Sequence, residues 1–506
     1  MASTARIAIC GRLGAHGLDP EGLLAEVARR GDDVLIVDDL CGDERALGRL
    51  AAGDPDGRVV MAVCPDGPSS DEVRARARRT GLDAGVGALR VDSVRAAALG
   101  VDEDAQARAA AVLHAGAARL AVMPVSSADA FRLGLPGGPV SRRSLLSMAR
   151  TSYLPVAVVG EAGCRGSAVC GLCVDACPVD AIEPAGRVPR VQKDRCIGCA
   201  ACVTACPVEG AVRLPGADLV GFEAQIQALF ETEPEAGLLV ACRGAPPIPQ
   251  QRLPGAWLSL EVPCLSIVTP GWALQAMRVG ARAVTFRGCG GTCGARAPER
   301  MEPRTAFARD ALSAVGIEHS EERIRLLLPE DDGTDVDAEA PAPEALAPVG
   351  EAVDRVRLRE PAATASFLAG GTGALRSEGS PLGVLTIRTD GCTMCGLCAK
   401  VCPTEAFRFD EGHVAATLDL DRDRCIGCGH CVAICPEKVL DVERGVDPGV
   451  LGRGPVSVKR SAMTRCRRCG EPVASSAMLD RIRAMLPDDP GVLDTVEELC
   501  LDCRGR

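Results

Sequence analysis

The chain has 506 residues with 57 Lys and Arg against 68 Asp and Glu, is 47% hydrophobic but only 2% aromatic, and contains 27 cysteines. The acidity and the shortage of rings disfavour a nucleic-acid partner, and no apolar run approaches the roughly 18 to 20 residues of a membrane helix, so direct membrane insertion is not expected either. With no basic leader ahead of an apolar core, the cysteines suggest reduced, metal-binding thiolates in a cytoplasmic protein long enough for several domains.

Residues 1–160 suggest an alternating α/β domain. Apolar runs at Ala5–Cys10, Asp33–Val37, Arg58–Cys64, Leu120–Val125 and Leu154–Val159 suit buried parallel strands, with helical segments such as Pro20–Arg30 and Asp71–Thr80 between them. Cys10, Cys41 and Cys64 each follow a strand, and open parallel sheets bind ligands beyond the carboxyl ends of their strands. The three either share a site, one thiolate short of a cubane, or are small hydrophobes of a core. Gly11-x2-Gly14-x2-Gly17 is not a dinucleotide fingerprint and none follows another strand, so neither flavin nor nicotinamide is expected.

Residues 161–216 contain Cys196-x2-Cys199-x2-Cys202-x3-Cys206-Pro207. The spacing returns twice in residues 381–447, as Cys392-x2-Cys395-x2-Cys398-x3-Cys402-Pro403 and Cys425-x2-Cys428-x2-Cys431-x3-Cys435-Pro436. A [4Fe-4S] cubane needs one thiolate on each iron, and cysteines at every third position wrap three corners. Neither a disulfide framework nor zinc needs such a repeat closed by Cys-Pro. Both segments resemble bacterial dicluster ferredoxin modules, in which the distal cysteine of each motif serves the other cluster. The resemblance implies one cubane on Cys392, Cys395, Cys398 and Cys435, one on Cys425, Cys428, Cys431 and Cys402, and one on Cys196, Cys199, Cys202 and Cys177. The remaining half-motif, Cys170-x2-Cys173-x3-Cys177-Pro178, has Ser167 where a first cysteine is due. Cys164 is the substitute across a longer loop, giving Cys164, Cys170, Cys173 and Cys206; the alternative assigns Cys164 to the N-terminal trio. His430, between two ligands, is either a donor to cluster sulfur or a solvated loop residue.

Residues 217–330 return to α/β texture, with strands at Leu238–Ala241, Trp257–Val262 and Ala283–Phe286 and a helix at Gly271–Val279. Cys242, Cys264 and Cys289 close strands, and Cys293 follows in a Gly-rich turn, four thiolates suited to a [2Fe-2S] cluster or to zinc. Cys264-Leu265-Ser266-Ile267, the Gly280-Ala281 pair and the Gly-Cys-x3-Cys turn resemble the delta subunit of methyl-viologen-reducing hydrogenases, which implies [2Fe-2S]. Residues 331–380 form a linker, clearest from Asp331 to Pro348. In residues 455–506, Cys466-x2-Cys469 and Cys500-x2-Cys503 flank a helical Ser475–Leu486. Without a proline in either knuckle or an aromatic core, a zinc-ribbon-like tail is expected over a rubredoxin-like iron.

The fold class expected is therefore multidomain α/β and α+β: an N-terminal parallel domain, two dicluster ferredoxin-like modules, a central α/β iron-sulfur domain and the small tail. Ile9-Cys10-Gly11, Asp38-x2-Cys41-Gly42 and Ala62-Val63-Cys64-Pro65 add a resemblance to the flavin-bearing subunit of heterodisulfide reductase, here without its flavin domain. The resemblance implies an electron-transfer subunit with four [4Fe-4S] clusters and one [2Fe-2S] cluster beside the zinc. It would link an oxidoreductase of hydrogenase, formate dehydrogenase or heterodisulfide reductase type to its acceptor. The missing flavin domain counts against electron bifurcation. Two other readings stay open: a self-contained oxidoreductase with substrate at an open iron on Cys10, Cys41 and Cys64, or a cluster-based redox scaffold or sensor.

Overall fold

The computed structural model describes residues 5–53, 58–64, 70–80, 89–93, 98–99, 104–123, 131–134, 152–161, 163–208, 210–215, 219–234, 236–242, 245, 257–289, 293–328, 364–365, 367–368, 371–486 and 498–504. β1 (Arg6–Cys10), β2 (Asp33–Val37), β3 (Val59–Val63) and β4 (Leu89–Ser93) form a parallel sheet in the order β2-β1-β3-β4. Ile7 lies opposite Val34 on one side and Val60 on the other. A strand flanked on both sides and covered on both faces is apolar throughout, and Ile7 to Cys10 and all of β3 are buried. The helix Pro20–Arg29 starts where it does because the Asp19 carboxylate accepts the N–H groups of Glu21 (3.3 Å) and Gly22 (2.9 Å), with Pro20 in the first turn.

Two runs expected as strands of this sheet are built otherwise. Leu120 to Val122 end the 18-residue helix Ala105–Val122, while residues 124–125 lie outside the described residues. The run from Leu154 to Val159 is divided. After β5 (Ala98–Leu99), which pairs in another sheet, β6 (Phe131–Gly134) and β7 (Ser152–Pro155) pair antiparallel. β8 (Val158–Val159) instead opens the first cysteine-rich module. That module contains a hairpin, β9 (Ile182–Glu183) and β10 (Arg190–Val191), and its last strand, β11 (Val212–Arg213), pairs with β8.

β12 (Gly237–Cys242), β13 (Trp257–Val262), β14 (Val284–Arg287) and β15 (Ile324–Leu327) are parallel in the order β15-β14-β12-β13, and β5 adds antiparallel to β13 with Leu99 opposite Trp257. The helix Ala105–Val122 packs on the helix Leu219–Thr232 as well as on the N-terminal core, and Arg119 Nη1 donates to Gln225 Oε1 at 2.9 Å. Its buried alanines, among them Ala109, Ala111 and Ala115, let it serve both cores. β5 and the helix Ala105–Val122, expected inside an N-terminal domain, thus also pack on the central one. Phe222 stacks on Trp272 at 3.9 Å between ring centres to anchor the central core.

The linker core, Asp331 to Pro348, lies outside the described residues. Beyond it come β16 (Leu375–Arg376), β17 (Gly383–Ile387), β18 (Phe407–Glu411), β19 (Ala415–Leu420), β20 (Leu440–Val446), β21 (Val456–Arg465) and β22 (Pro472–Ser475). They make two sheets, β16-β20-β17 and β18-β19-β21-β22. The tail's first strand is therefore part of the second cysteine-rich module: β21 pairs antiparallel with β19 from Ala415↔Ala462 to Leu420↔Val456. An unpaired β19 edge would expose a row of backbone donors and acceptors, which β21 covers. Among the described residues no helix is long and apolar enough to cross a membrane.

Candidate metal centres

Three of the four cysteine loops share one backbone form. The residues on either side of the middle cysteine take positive φ: Gly198 (68°) and Ala200 (62°), Met394 (58°) and Gly396 (69°), Gly427 (66°) and Gly429 (77°). Left-handed backbone at both positions curls the loop and turns its thiols inward; Ala200 and Met394 hold it without glycine's freedom. Each loop enters a single helical turn, Ala201–Ala205, Leu397–Val401 or His430–Ile434, whose C-cap is Cys206, Cys402 or Cys435. The proline that follows cannot donate to a further turn, so the distal thiol leaves at a fixed point.

Distal thiols lie near cysteines of the partner motif. Cys392, Cys395 and Cys398 line one cavity with Cys435, closed by Met394, Leu418, Val439 and Leu440. Burial pushes the Cys431 thiol up to about 12, and Cys425, Cys428 and Cys402 beside it raise it further. Cys202 is likewise raised by burial, and Cys199, Cys196, Cys173 and Cys177 beside it add to the rise. Burial takes Cys206 up to about 12, and Cys173, Cys170 and Cys164 add to the rise. Cys164 therefore stands with the first ferredoxin motif, while Ser167 turns its hydroxyl to the Gly186 carbonyl at 3.4 Å.

These groups fit cubanes. Amide N–H groups already donate to the sulfurs, from Gly166 to Cys164 (3.4 Å), Ala181 to Cys177 (3.2 Å) and Ala406 to Cys402 (3.3 Å). His430 Nδ1 is buried without a hydrogen-bond partner among the described residues, and cluster sulfide is an acceptor for such a group.

The sets also abut one another. Arg165, next to Cys164, binds Glu405, three residues past Cys402, at 2.9 Å, although the two lie 240 residues apart in the chain. Burial raises the Cys428 thiol, and Cys170 of the other module is among the groups that raise it further. Thr204, between Cys202 and Cys206, donates to the carbonyl of Ser266, two residues past Cys264, at 3.3 Å. Arg304 ties that joint by donating to Ser266 O (3.1 Å), Val268 O (2.6 Å) and Thr204 Oγ1 (3.3 Å), and Arg300 donates to Ala176 O at 2.8 Å beside Cys177. Burial pushes Cys199 up to about 11, with Cys264 across the joint contributing. None of these arginines carries a motif; only the fold makes them neighbours of the cysteines.

In the central domain Cys242 ends β12, Cys264 follows β13 and Cys289 follows β14, three adjacent parallel strands. A hydrogen bond with Cys242 and then burial raise Cys264, and burial raises Cys289, which also interacts with Cys242 and Cys293. Residues 290–292 of the Gly-rich turn lie outside the described residues. Among the described residues, only two groups of three or more ligand atoms lie within 4.8 Å of one another: Cys466, Cys469, Cys500 and Cys503, and Cys10, Cys41 and Cys64. No three of the central thiols lie that close to one another.

In the tail, Cys466 and Cys469 sit in the β21–β22 turn, where Gly470 at φ 78° brings its N–H to Cys466 O at 2.9 Å. Cys469 and Cys500 sulfurs are 3.5 Å apart, and the N–H of Cys500, more than any other group, holds Cys466 down to about 6. Four thiols this close fit a tetrahedral ion. Lys459 of β21 donates to the carbonyls of Thr389 and Cys392, both at 2.7 Å, joining the tail to a cubane loop.

At the N-terminal sheet, Cys10 ends β1 while Cys41 and Cys64 follow β2 and β3. Cys64 N–H donates to Cys41 Sγ at 3.3 Å, and the sulfurs of Cys10 and Cys64 are 3.6 Å apart. The hydrogen bond with Cys41 holds Cys10 down to about 5 and raises Cys41 in turn, while burial takes Cys64 up to about 11. Cys164 is not part of this group.

Cysteine loops paired in this way on a mixed α/β scaffold define an iron-sulfur protein of the electron-transfer class. The family model of the 4Fe-4S dicluster domain matches residues 164–210 and 391–439, and that of the methyl-viologen-reducing hydrogenase delta subunit matches residues 248–333. The chain thus carries two dicluster domains and one hydrogenase delta-subunit domain, in keeping with both resemblances carried by the cysteine spacing. No curated protein matches the chain.

Proposed function

We propose that the chain is a cytoplasmic subunit of a redox complex and conducts electrons along five iron-sulfur centres. The order is a [2Fe-2S] centre on Cys242, Cys264, Cys289 and Cys293, then cubanes on Cys196, Cys199, Cys202 and Cys177; on Cys164, Cys170, Cys173 and Cys206; on Cys425, Cys428, Cys431 and Cys402; and on Cys392, Cys395, Cys398 and Cys435. A cluster exchanges one electron with little rearrangement, so centres in series suit transport rather than bond-making. The residues around them hold adjacent loops together. The observation that carries the reading is the contact of Arg165 with Glu405, which makes neighbours of two modules far apart in sequence. The hydrogen bonds of Thr204 and Arg304 to Ser266 do the same for the central domain. The two ends of the line are where an oxidoreductase of hydrogenase, formate dehydrogenase or heterodisulfide reductase type and its acceptor would dock.

Anaerobically purified protein is expected to hold about eighteen irons per chain, four cubanes and one binuclear centre, with low-temperature EPR resolving both cluster types after reduction. Fewer than about twelve would overturn the proposal. For the tail the reading is zinc: metal analysis of the Cys469→Ala chain is expected to find about one zinc fewer per chain, with dithionite leaving the wild-type zinc untouched. Loss of a red, reducible mononuclear iron from that variant instead would reverse the choice.

A further inference from the structure

We propose that Cys10, Cys41 and Cys64 form a second mononuclear metal site, a trithiolate centre for zinc completed by one donor that is not a cysteine of this chain. The cysteines stand at the carboxyl ends of three adjacent parallel strands, in the order β2-β1-β3, and are 0%, 5% and 7% exposed. Their spacing decides between metal centres. A tetrahedral ion with bonds of about 2.3 Å sets its ligand sulfurs about 3.8 Å apart. Thiolates on different irons of a cubane sit roughly 6 Å apart, because each bonds a separate corner. The three sulfurs lie within 4.8 Å of one another, with Cys10 and Cys64 at 3.6 Å.

The same chain provides the comparison. No three ferredoxin-motif cysteines, all of them described, come within 4.8 Å of one another, whereas the four tail cysteines do. By that measure the trio belongs with the tail and not with the cubanes. A disulfide between Cys10 and Cys64 would need a sulfur separation of about 2.05 Å and would leave Cys41 unused. A plain thiol core does not explain why amide N–H groups serve as donors here, as from Cys64 to Cys41 Sγ at 3.3 Å. Three thiolates with zinc carry one net negative charge. Arg76 Nη1 donates to the Cys41 carbonyl at 2.7 Å, which places one positive charge beside the group. Among the described residues no fourth Cys, His, Asp or Glu joins the group, and soft thiolate ligands favour zinc over harder divalent ions.

The test uses the full chain, purified anaerobically, as wild type and as Cys10→Ala and Cys41→Ala, with zinc and iron measured together and thermal melting as a check on folding. The expected result is about one zinc fewer per chain in each variant with iron unchanged. Loss of about four irons, the content of a cubane, or no change in either metal would overturn the proposal. Should the variants fail to fold, zinc-edge X-ray absorption on wild type decides. Sulfur at about 2.3 Å together with a lighter ligand supports the trithiolate centre, and a shell of sulfur alone overturns it. A tail that holds iron leaves this outcome unchanged, since all the zinc would then belong to the trio.

Discussion

Replacing Gly383 by alanine is expected to strip the chain of the cubane on Cys425, Cys428, Cys431 and Cys402. A Cβ at position 383 would lie 2.4 Å from both Cα and N of Gly427 and 3.2 Å from Cys425 Sγ. Those are backbone and ligand atoms, not the free end of a side chain. Gly383 N–H also donates to Cys425 O at 2.8 Å, so β17 cannot retreat without breaking the bond that holds the cysteine loop. Gly427 is itself held at φ 66°, which leaves the loop little room to turn. Overpacking of this kind costs about 1–3 kcal/mol where a site relaxes; here relaxation means moving a ligand. Iron is expected to fall by about four per chain. Gly171→Ala is the control, because its nearest contact is Asp175 Oδ2 at 3.6 Å and its φ is −99°. It should keep full iron, and a Gly383→Ala protein with equal iron would refute the argument.

The cysteine spacings were legible because coordination chemistry constrains them locally: three ligands within seven residues define a loop whatever surrounds it. The positions of Cys10, Cys41 and Cys64 after strands were legible too, but their closeness depends on β1 lying between β2 and β3, which no single strand reveals. The misplaced strands have a common cause. Leu120-Ala121-Val122 is a short apolar run, and such a run suits the end of a buried helix as well as a strand. Leu154 to Val159 is apolar across Pro155, where β7 stops before β8 starts in another sheet. β4, Leu-Arg-Val-Asp-Ser, was hidden by its polar residues. β21 was missed in the same way, since five of its ten residues are Ser, Lys, Arg or Thr before the final Arg465, and its pairing rests on the edge β19 offers.

Cys164→Ala is expected to turn one cubane into a three-iron form, visible by EPR in the oxidised protein, while Ser167→Ala leaves all clusters intact. Cys164 is near enough to Cys170, Cys173 and Cys206 to raise each of their thiols, burial being the main cause in every case. The Ser167 hydroxyl is already spent on Gly186 O, in a turn that begins after Gly166 at φ 87°. The longer loop from Cys164 to Cys170 adds little closure cost, about 0.6 kcal/mol for each doubling of length. The reverse pattern, with the serine variant losing an iron and the cysteine variant keeping all of them, would return the fourth ligand to Ser167.

The pairing of β21 with β19 bears on how the molecule is made. Every thiol of the second dicluster module has been synthesised by Cys435, yet β19 gains its second neighbour only as Val456 to Ala462 follow. Lys459, which holds the Thr389 and Cys392 carbonyls, arrives equally late. The nascent chain therefore presents the Cys392 loop without its brace for the twenty-four residues from Cys435 to Lys459.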